Sequence, residues 1–280
     1  MIAYQGQSGA YSHLACQHVF PDEPVLACDS FVEAMMKVEK KQAALAMIPV
    51  ENSTAGRVEE IYRLIPKMSL HIVGEHFEPV NHCLLARPGA SIDSLTSVAS
   101  HPQALAQCAS GIEKLGLTTR AAFDTAGAAQ QIAEGKGSEA AIASSLAAKL
   151  YNLDILIENF EDNSGNTTRF IILSHARNLP PLQEGVSYIT SLIFKVRNIP
   201  AALYKTLGGF ATNGINLAKL ESYMPGGTLN SSQFHIDIHG HVEQPGLQLA
   251  LEELNFFAED VRLLGTYPAH PFRLSQAFYD

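Results

Sequence analysis

No window of this 280-residue chain approaches the roughly 18 consecutive apolar residues that a membrane-spanning helix needs, so no membrane partner is expected. Basic residues are sparse too. Nineteen Lys and Arg face 28 Asp and Glu, a net charge of −9, and no Lys/Arg cluster interrupts the surplus, which argues against a nucleic-acid partner. The opening residues MIAYQGQSG contain neither the basic nor the apolar segment of a secretory signal, so the expectation is a soluble cytoplasmic protein. Cys16, Cys28, Cys83 and Cys108 lie far apart and no pair forms CxxC. They read as small buried hydrophobes, and nothing in them demands an oxidising compartment. What is present is a globular composition, 46% hydrophobic with 20 Gly and 14 Pro, which excludes a disordered or collagen-like chain. At roughly 150 residues per domain there is room for about two.

Of the histidines, only His235, His239 and His241 cluster, in FHIDIHGH. On a strand His235, Asp237 and His239 would share one face, superficially a metal site. The same run alternates with Phe234, Ile236 and Ile238, the pattern of a half-buried strand, and zinc spacings are absent; no metal is expected.

Through about residue 175, short apolar runs alternate with helix-period stretches. IAYQG, ALAMIPV, LHIVGEHF, NHCLLA, LTSVAS, TRAAF, EAAIAS, LDILI and TRFIILS read as strands. SHLACQHVF, SFVEAMMKVEKK (opened by a Ser30/Glu33 capping box), the stretch around Val58, Ile61, Tyr62 and Ile65, and those starting at Pro102, Asp124 and Ser144 read as helices. That alternation predicts an α/β fold with largely parallel sheets. Two smaller sheets accommodate the strands better than one, with linking segments near 77–81 and 154–158 and a ligand cleft between the lobes.

ARNLPPLQEG, residues 176–185, is polar, contains Pro180-Pro181 and reads as a linker. Beyond it SYITSLIFKV is a strand, and PAALYKTLGGFATNG is a helix with Pro at its start and Gly214 past its end. INLAKLES is a strand, PGGT a turn and SSQFHIDIHG a strand. Leu247, Leu251, Leu254 and Ala258 mark a helix, and VRLLGTY closes the pattern. The order βαββαβ is the ferredoxin-like split unit.

For chemistry, GQSGAYS sits between strand and helix but is neither GxGxxG nor a P-loop; its glycines fit an anion site or a ligand-free tight turn. PVENSTAG (49–56), SHPQ (100–103) and DTAGA (124–128) are further polar strand-to-helix junctions, where ligands of open α/β sheets bind. Asn52, Ser53, Ser100 and Asp124 suit equally a small polar anion or helix capping. In NTTRF (166–170), Arg169 has the chemistry to clamp a carboxylate and the adjacent threonine to donate to a departing oxygen; a solvated or salt-bridged arginine is the alternative.

Taken together, GQSGAYS, PVENSTAG, VNHCLLA, SHPQAL, DTAGAA, NTTRF and PAALYKTLGGFATNGINLAKLES resemble, in order and over nearly the whole chain, prephenate dehydratase with a C-terminal ACT domain. The resemblance implies a two-lobed, periplasmic-binding-protein-like catalytic domain over 1–178, with lobes of about 1–79 plus 156–178 and of 80–155. It also implies a ferredoxin-like ACT regulatory domain over 188–268. The implied reaction converts prephenate to phenylpyruvate with loss of carbon dioxide and water, without a cofactor. Aromatisation drives it, and the difficulty is protonating the departing hydroxyl. Resemblance assigns that donation to Thr168 and orientation of a substrate carboxylate to Arg169. Asn52, Ser53, Ser100, Gln107 and Glu51 complete the catalytic set, with Tyr11, Ser12, Thr54 and Phe170 as substrate contacts.

The ACT resemblance implies feedback inhibition by L-phenylalanine and self-association to a dimer or tetramer. Pro200, Ala202 and Leu203 match the effector loops, as do Glu221 and Ser222, with Asn213, Ile215, Asn216 and Leu217 beside them. Ala201 stands where the family usually has Gly, and Tyr223-Met224-Pro225 where it has Arg-Pro; both bear on phenylalanine binding. Arogenate dehydratase shares the motifs. A non-catalytic amino-acid-responsive binding protein is the reading from another class, and the presence of both Thr168 and Arg169 speaks against it.

Overall fold

The apolar runs become strands in the chain order their pattern implies. The computed structural model describes residues 1–197, 199–224 and 233–275. It begins β1 (Ile2–Gln5), α1 (Tyr11–Val19), β2 (Val25–Cys28), α2 (Phe31–Glu39), β3 (Leu45–Asn52), β4 (Gly56–Arg57), α3 (Glu59–Leu64) and β5 (His71–Pro79). Next come β6 (Cys83–Ala86), β7 (Ser97–Ser100), α4 (Pro102–Gln107), α5 (Ala109–Lys114), β8 (Thr118–Ala121), α6 (Thr125–Glu134), β9 (Glu139–Ala143), α7 (Ser145–Leu150) and β10 (Asp154–Ile157). The chain continues through β11 (Thr167–Ser174), β12 (Tyr188–Val196), α8 (Ala202–Thr212), β13 (Leu217–Tyr223), β14 (Gln233–His239), α9 (Pro245–Phe257) and β15 (Ala258–Pro268).

The strands make three sheets, ordered β2-β1-β3-β11-β5 with β4 on β3, β10-β6-β9-β7-β8, and β13-β14-β12-β15. By internal contacts the chain divides into one unit of Met1–Ala34, Met47–Arg57 and Phe77–Phe170, and another of Met35–Ala46, Val58–His76 and the residues from Ile171 on.

Several expectations change. The second sheet is mixed: β7 is parallel to β8 and β9, whereas β6 is antiparallel to both β9 and β10. At the edge of that sheet β10 pairs with β6, and Phe160 packs into its core. The short strand β2 carries no pattern that the sequence reading recognised, and the helix from Pro102 breaks at Cys108 into α4 and α5. Ser30 caps α2 as expected, accepting the Glu33 N–H, but the Glu33 carboxylate turns to the N–H of Asp29. The 176–185 stretch is tied down. The Tyr188 hydroxyl donates to the Pro181 carbonyl, and His241 Nε2 bonds that of Pro180.

The βαββαβ order holds in the third sheet. Leu192, Phe194, Phe234, Ile236 and Ile238 pack one face against Phe210 of α8 and Leu247, Ala250 and Leu254 of α9. Rather than half-buried, β14 is buried on both faces. His235 rests against the Tyr62 ring of α3, and Asp237 accepts from the Ser191 hydroxyl. The expected PGGT turn and Pro225 lie outside the described residues.

Gly265 of β15 passes so close to Ile72 of β5 that a Cβ there would collide with the Ile72 carbonyl oxygen. Gly265→Ala should therefore cost about 3 kcal/mol in urea unfolding, the upper range of overpacking, because the obstacle is backbone. Instead of starting at Pro200, α8 opens on Ala201 in the left-handed region, φ 57°. Ala201→Gly should raise stability by about 1 kcal/mol, read from the same transition, since a Cβ is disfavoured there.

The four cysteines are free and buried; burial pushes the thiols of Cys16 and Cys108 up to about 12 and that of Cys83 to about 11. Among the described residues no helix is long and apolar enough to cross a membrane.

Candidate active site

At the end of β3, the Asn52 side-chain oxygen accepts the backbone N–H groups of Thr54 (3.1 Å) and Ala55 (2.8 Å), folding PVENSTAG into an Asx turn. Its amide nitrogen must then face the other way. It donates to Asn166 Oδ1 at 2.6 Å and Thr168 Oγ1 at 3.0 Å. Ser53 fastens the strand ends: its N–H donates to the Thr167 carbonyl, and its hydroxyl accepts the Thr167 N–H. Among the described residues the Thr168 hydroxyl hydrogen meets no acceptor, so this half-buried group is left a donor.

Successive side chains of a strand alternate faces, so Thr168 and Arg169 point opposite ways on β11. The Arg169 guanidinium is 3% exposed and donates to Glu51 at 3.1 Å. Arg169, expected to orient a substrate carboxylate, thus forms a buried ion pair with Glu51 on the face of β11 opposite Thr168. Phe170, expected to touch substrate, is 1% exposed and part of the core.

Gln107 arrives from the last turn of α4. Its Oε1 accepts from His82 Nε2 (2.8 Å) and Asn166 Nδ2 (3.4 Å), leaving a buried Nε2 that has no partner among the described residues. The other ring nitrogen of His82 lies 2.8 Å from the Tyr11 hydroxyl. Burial lowers the His82 pKa and pushes the Tyr11 phenol well up, so both are neutral at neutral pH. Asn52, Ser53, Gln107, Thr168 and Tyr11 thus belong to one network with Asn166 and His82, two residues the motif reading did not single out. His82 was legible only as one of two polar residues, beside Asn81, in VNHCLLA.

Other candidates stand apart from it. Ser100 is fully buried and donates across the second sheet to the Ile142 carbonyl, while His101 caps α4. Asp124 caps α6 by accepting the Gly127 N–H. Ser12 lies half-buried in the first turn of α1, and Thr54 is exposed. In GQSG the turn reading prevails over the anion site. The Gly9 N–H is taken by His13 Nδ1, its carbonyl by the Ser144 hydroxyl, and a Cβ on Gly9 would meet Ala147 Cα at 2.9 Å.

The expected effector residues lie around both ends of α8 and along β13. Ala202 is buried and Ala201 exposed, while Leu203 and Ile215 pack against the core of the third sheet. Asn213 caps the helix end through Gly209, and the Asn216 carbonyl accepts the His239 N–H. Leu217, Glu221 and Ser222 follow on β13, with Glu221 3.7 Å from Lys219.

A sequence model of the prephenate dehydratase family matches residues 2–178. A Komagataeibacter europaeus protein named bifunctional N-acyl-homoserine lactone acylase/prephenate dehydratase is 48% identical over 275 residues, 98% of this chain and 97% of that one. Arogenate dehydratase/prephenate dehydratase 2 of Arabidopsis thaliana, a chloroplastic protein, is 40% identical over 95% of this chain and 72% of its own length. The crystal structure of prephenate dehydratase from Arthrobacter aurescens in complex with L-Phe matches with a TM-score of 0.86 at 29% identity, over 96% of this chain and 92% of that one. With matches this broad, the chain belongs to the prephenate dehydratase family.

Proposed function

We propose that the chain converts prephenate to phenylpyruvate in phenylalanine biosynthesis, with Thr168 as proton donor to the departing hydroxyl. The observation that carries this is the hydrogen bond from Asn52 Nδ2 to Thr168 Oγ1. It occupies the oxygen, leaves the hydroxyl hydrogen for substrate, and stabilises negative charge as that hydrogen is given up. The bond from the ring to its carboxylate breaks, carbon dioxide departs, and the electron pair enters the ring. The carbon–oxygen bond opposite breaks, the oxygen leaves as water, and solvent returns the proton to Thr168. Gln107 Nε2 donates to a substrate oxygen, and Tyr11 and Ser53 line the site. Arg169, held by Glu51, steadies β11 behind Thr168. No cofactor is required.

The remaining parts of the reading are regulatory and architectural. The two N-terminal sheets form two lobes of the periplasmic-binding-protein type, and the βαββαβ unit is an ACT domain that binds L-phenylalanine around 200–203 and 213–222. The chain assembles as a dimer or tetramer. The Arthrobacter aurescens structure, which holds L-Phe, and the matching element order support this reading.

The test is phenylpyruvate formation from prephenate against an enzyme-free blank, titrated with L-phenylalanine. Turnover suppressed by phenylalanine supports both parts; turnover indifferent to it retains the dehydratase and removes the effector assignment. Absence of turnover on prephenate, with turnover on arogenate, moves the substrate to the amino acid. The 48% identity to a bifunctional acylase favours one second reading, hydrolysis of N-acyl-homoserine lactones. Release of homoserine lactone in a parallel assay decides it.

A further inference from the structure

The hydrogen bonds around Thr168 run in one direction, and their origin is backbone. Main-chain N–H groups can only donate, so the contacts from Thr54 and Ala55 identify the oxygen of Asn52. Its nitrogen therefore donates to Asn166 Oδ1 at 2.6 Å, which makes the other Asn166 terminus a donor. That terminus faces Gln107 at 3.4 Å, so the Gln107 atom there is the carbonyl oxygen, and it can only accept from His82 Nε2 at 2.8 Å. Hence Nε2 of His82 carries the hydrogen. In a neutral ring Nδ1 is then an acceptor, and the single Tyr11 hydroxyl hydrogen is shared between it, at 2.8 Å, and the Asn81 carbonyl, at 2.9 Å.

We infer that His82 is a positioning residue for the dehydratase: as the Nε2–H tautomer it anchors the Gln107 carbonyl and turns the Gln107 NH2 group, otherwise unpartnered, toward an oxygen of the substrate. The inference rests on the dehydratase reading above. His82 is held firmly enough for this role. It is 2% exposed, its N–H donates to the Glu161 carboxylate at 2.7 Å, and its carbonyl accepts from Phe160 at 2.7 Å. Without its side chain, Gln107 keeps only the long contact to Asn166 and is free to rotate its donors away.

Two measurements test this, one of them independent of turnover. Long-range proton–nitrogen correlation spectra of the labelled protein should show His82 neutral, with Nε2 protonated and Nδ1 bare; an Nδ1–H tautomer or an imidazolium at neutral pH overturns the inference. The kinetic arm uses His82→Leu, His82→Gln, Gln107→Leu and the His82→Leu/Gln107→Leu double variant. His82→Leu should lower kcat/KM by roughly ten- to a hundredfold, the scale of a misplaced contact group. His82→Gln, which restores an NH2 near the former Nε2, should recover most of that loss. In the Gln107→Leu background, removing His82 should cost nothing further, because its effect passes through Gln107. Independent, multiplying losses overturn the inference. Should His82→Leu not fold, the His82→Gln kinetics and the spectra still decide. A wild-type chain inert toward both prephenate and arogenate overturns the dehydratase reading itself, a result separable from the tautomer.

Discussion

Thr168→Val is expected to lower kcat by about a hundred- to ten-thousandfold, the usual contribution of a positioned proton donor. Valine keeps the shape of threonine and its preference for a strand, and Asn52 retains its bond to Asn166, so the melting transition should barely move. The loss should fall on kcat more than on KM, because the hydroxyl hydrogen is given only as the carbon–oxygen bond breaks. Thr168→Ser keeps a hydroxyl within reach of Asn52 Nδ2 and should retain most activity. A steady-state comparison of the three proteins checks this, and an unchanged rate in Thr168→Val would remove Thr168 from the reaction.

The largest expected loss of stability comes from Glu75→Ala. Glu75 of β5 and Arg273 of the short 3₁₀ turn at Pro271–Leu274 are both buried, 7% and 3% exposed. The guanidinium donates through Nε at 2.6 Å and through its terminal nitrogen at 2.8 Å, and the His270 N–H adds a contact at 3.1 Å. Removing the carboxylate strands a buried cation, which costs about 3–5 kcal/mol. Urea unfolding should show a loss of that size for Glu75→Ala and a comparable one for Arg273→Ala. A double replacement by apolar residues should lose far less than the two singles added together, since no charge is then left unpaired. Additive losses would show that the two groups do not act as a pair.

How much of this could be read beforehand differs from element to element. Continuous apolar runs such as ALAMIPV announce strands whatever their neighbours, and β3 appears where that run lies. Strand direction has no local signature, so the antiparallel placement of β6, between β10 and β9 in an otherwise parallel sheet, was invisible. The second buried face of β14 escaped notice because Tyr62, which covers His235, is far away in sequence. For the site, the motifs brought out Asn52, Gln107 and Thr168, but a lone histidine in an apolar strand segment looks like any core histidine. Only the geometry around Gln107 separates His82 from that background. The alternation that sets Arg169 and Thr168 on opposite faces of β11 is legible in TRF itself. Left-handed backbone at Ala201 is a property of the helix entry that residue type does not reveal.

The buried thiols give the molecule an internal reporter. Cys16 and Cys28 belong to α1 and β2, Cys83 to β6, Cys108 packs in the core of the second sheet between α4 and α5, and the sequence beyond Cys108 contains none. With the chain folded, burial shields all four sulfurs, and a raised pKa further protects those of Cys16, Cys83 and Cys108, from alkylating reagents, which require a thiolate in contact with solvent. Alkylation therefore keeps time with excursions that open the first two sheets and stays silent while only the βαββαβ unit opens. A single labelling course, read by mass, separates breathing of the reaction-bearing part from breathing of its C-terminal companion.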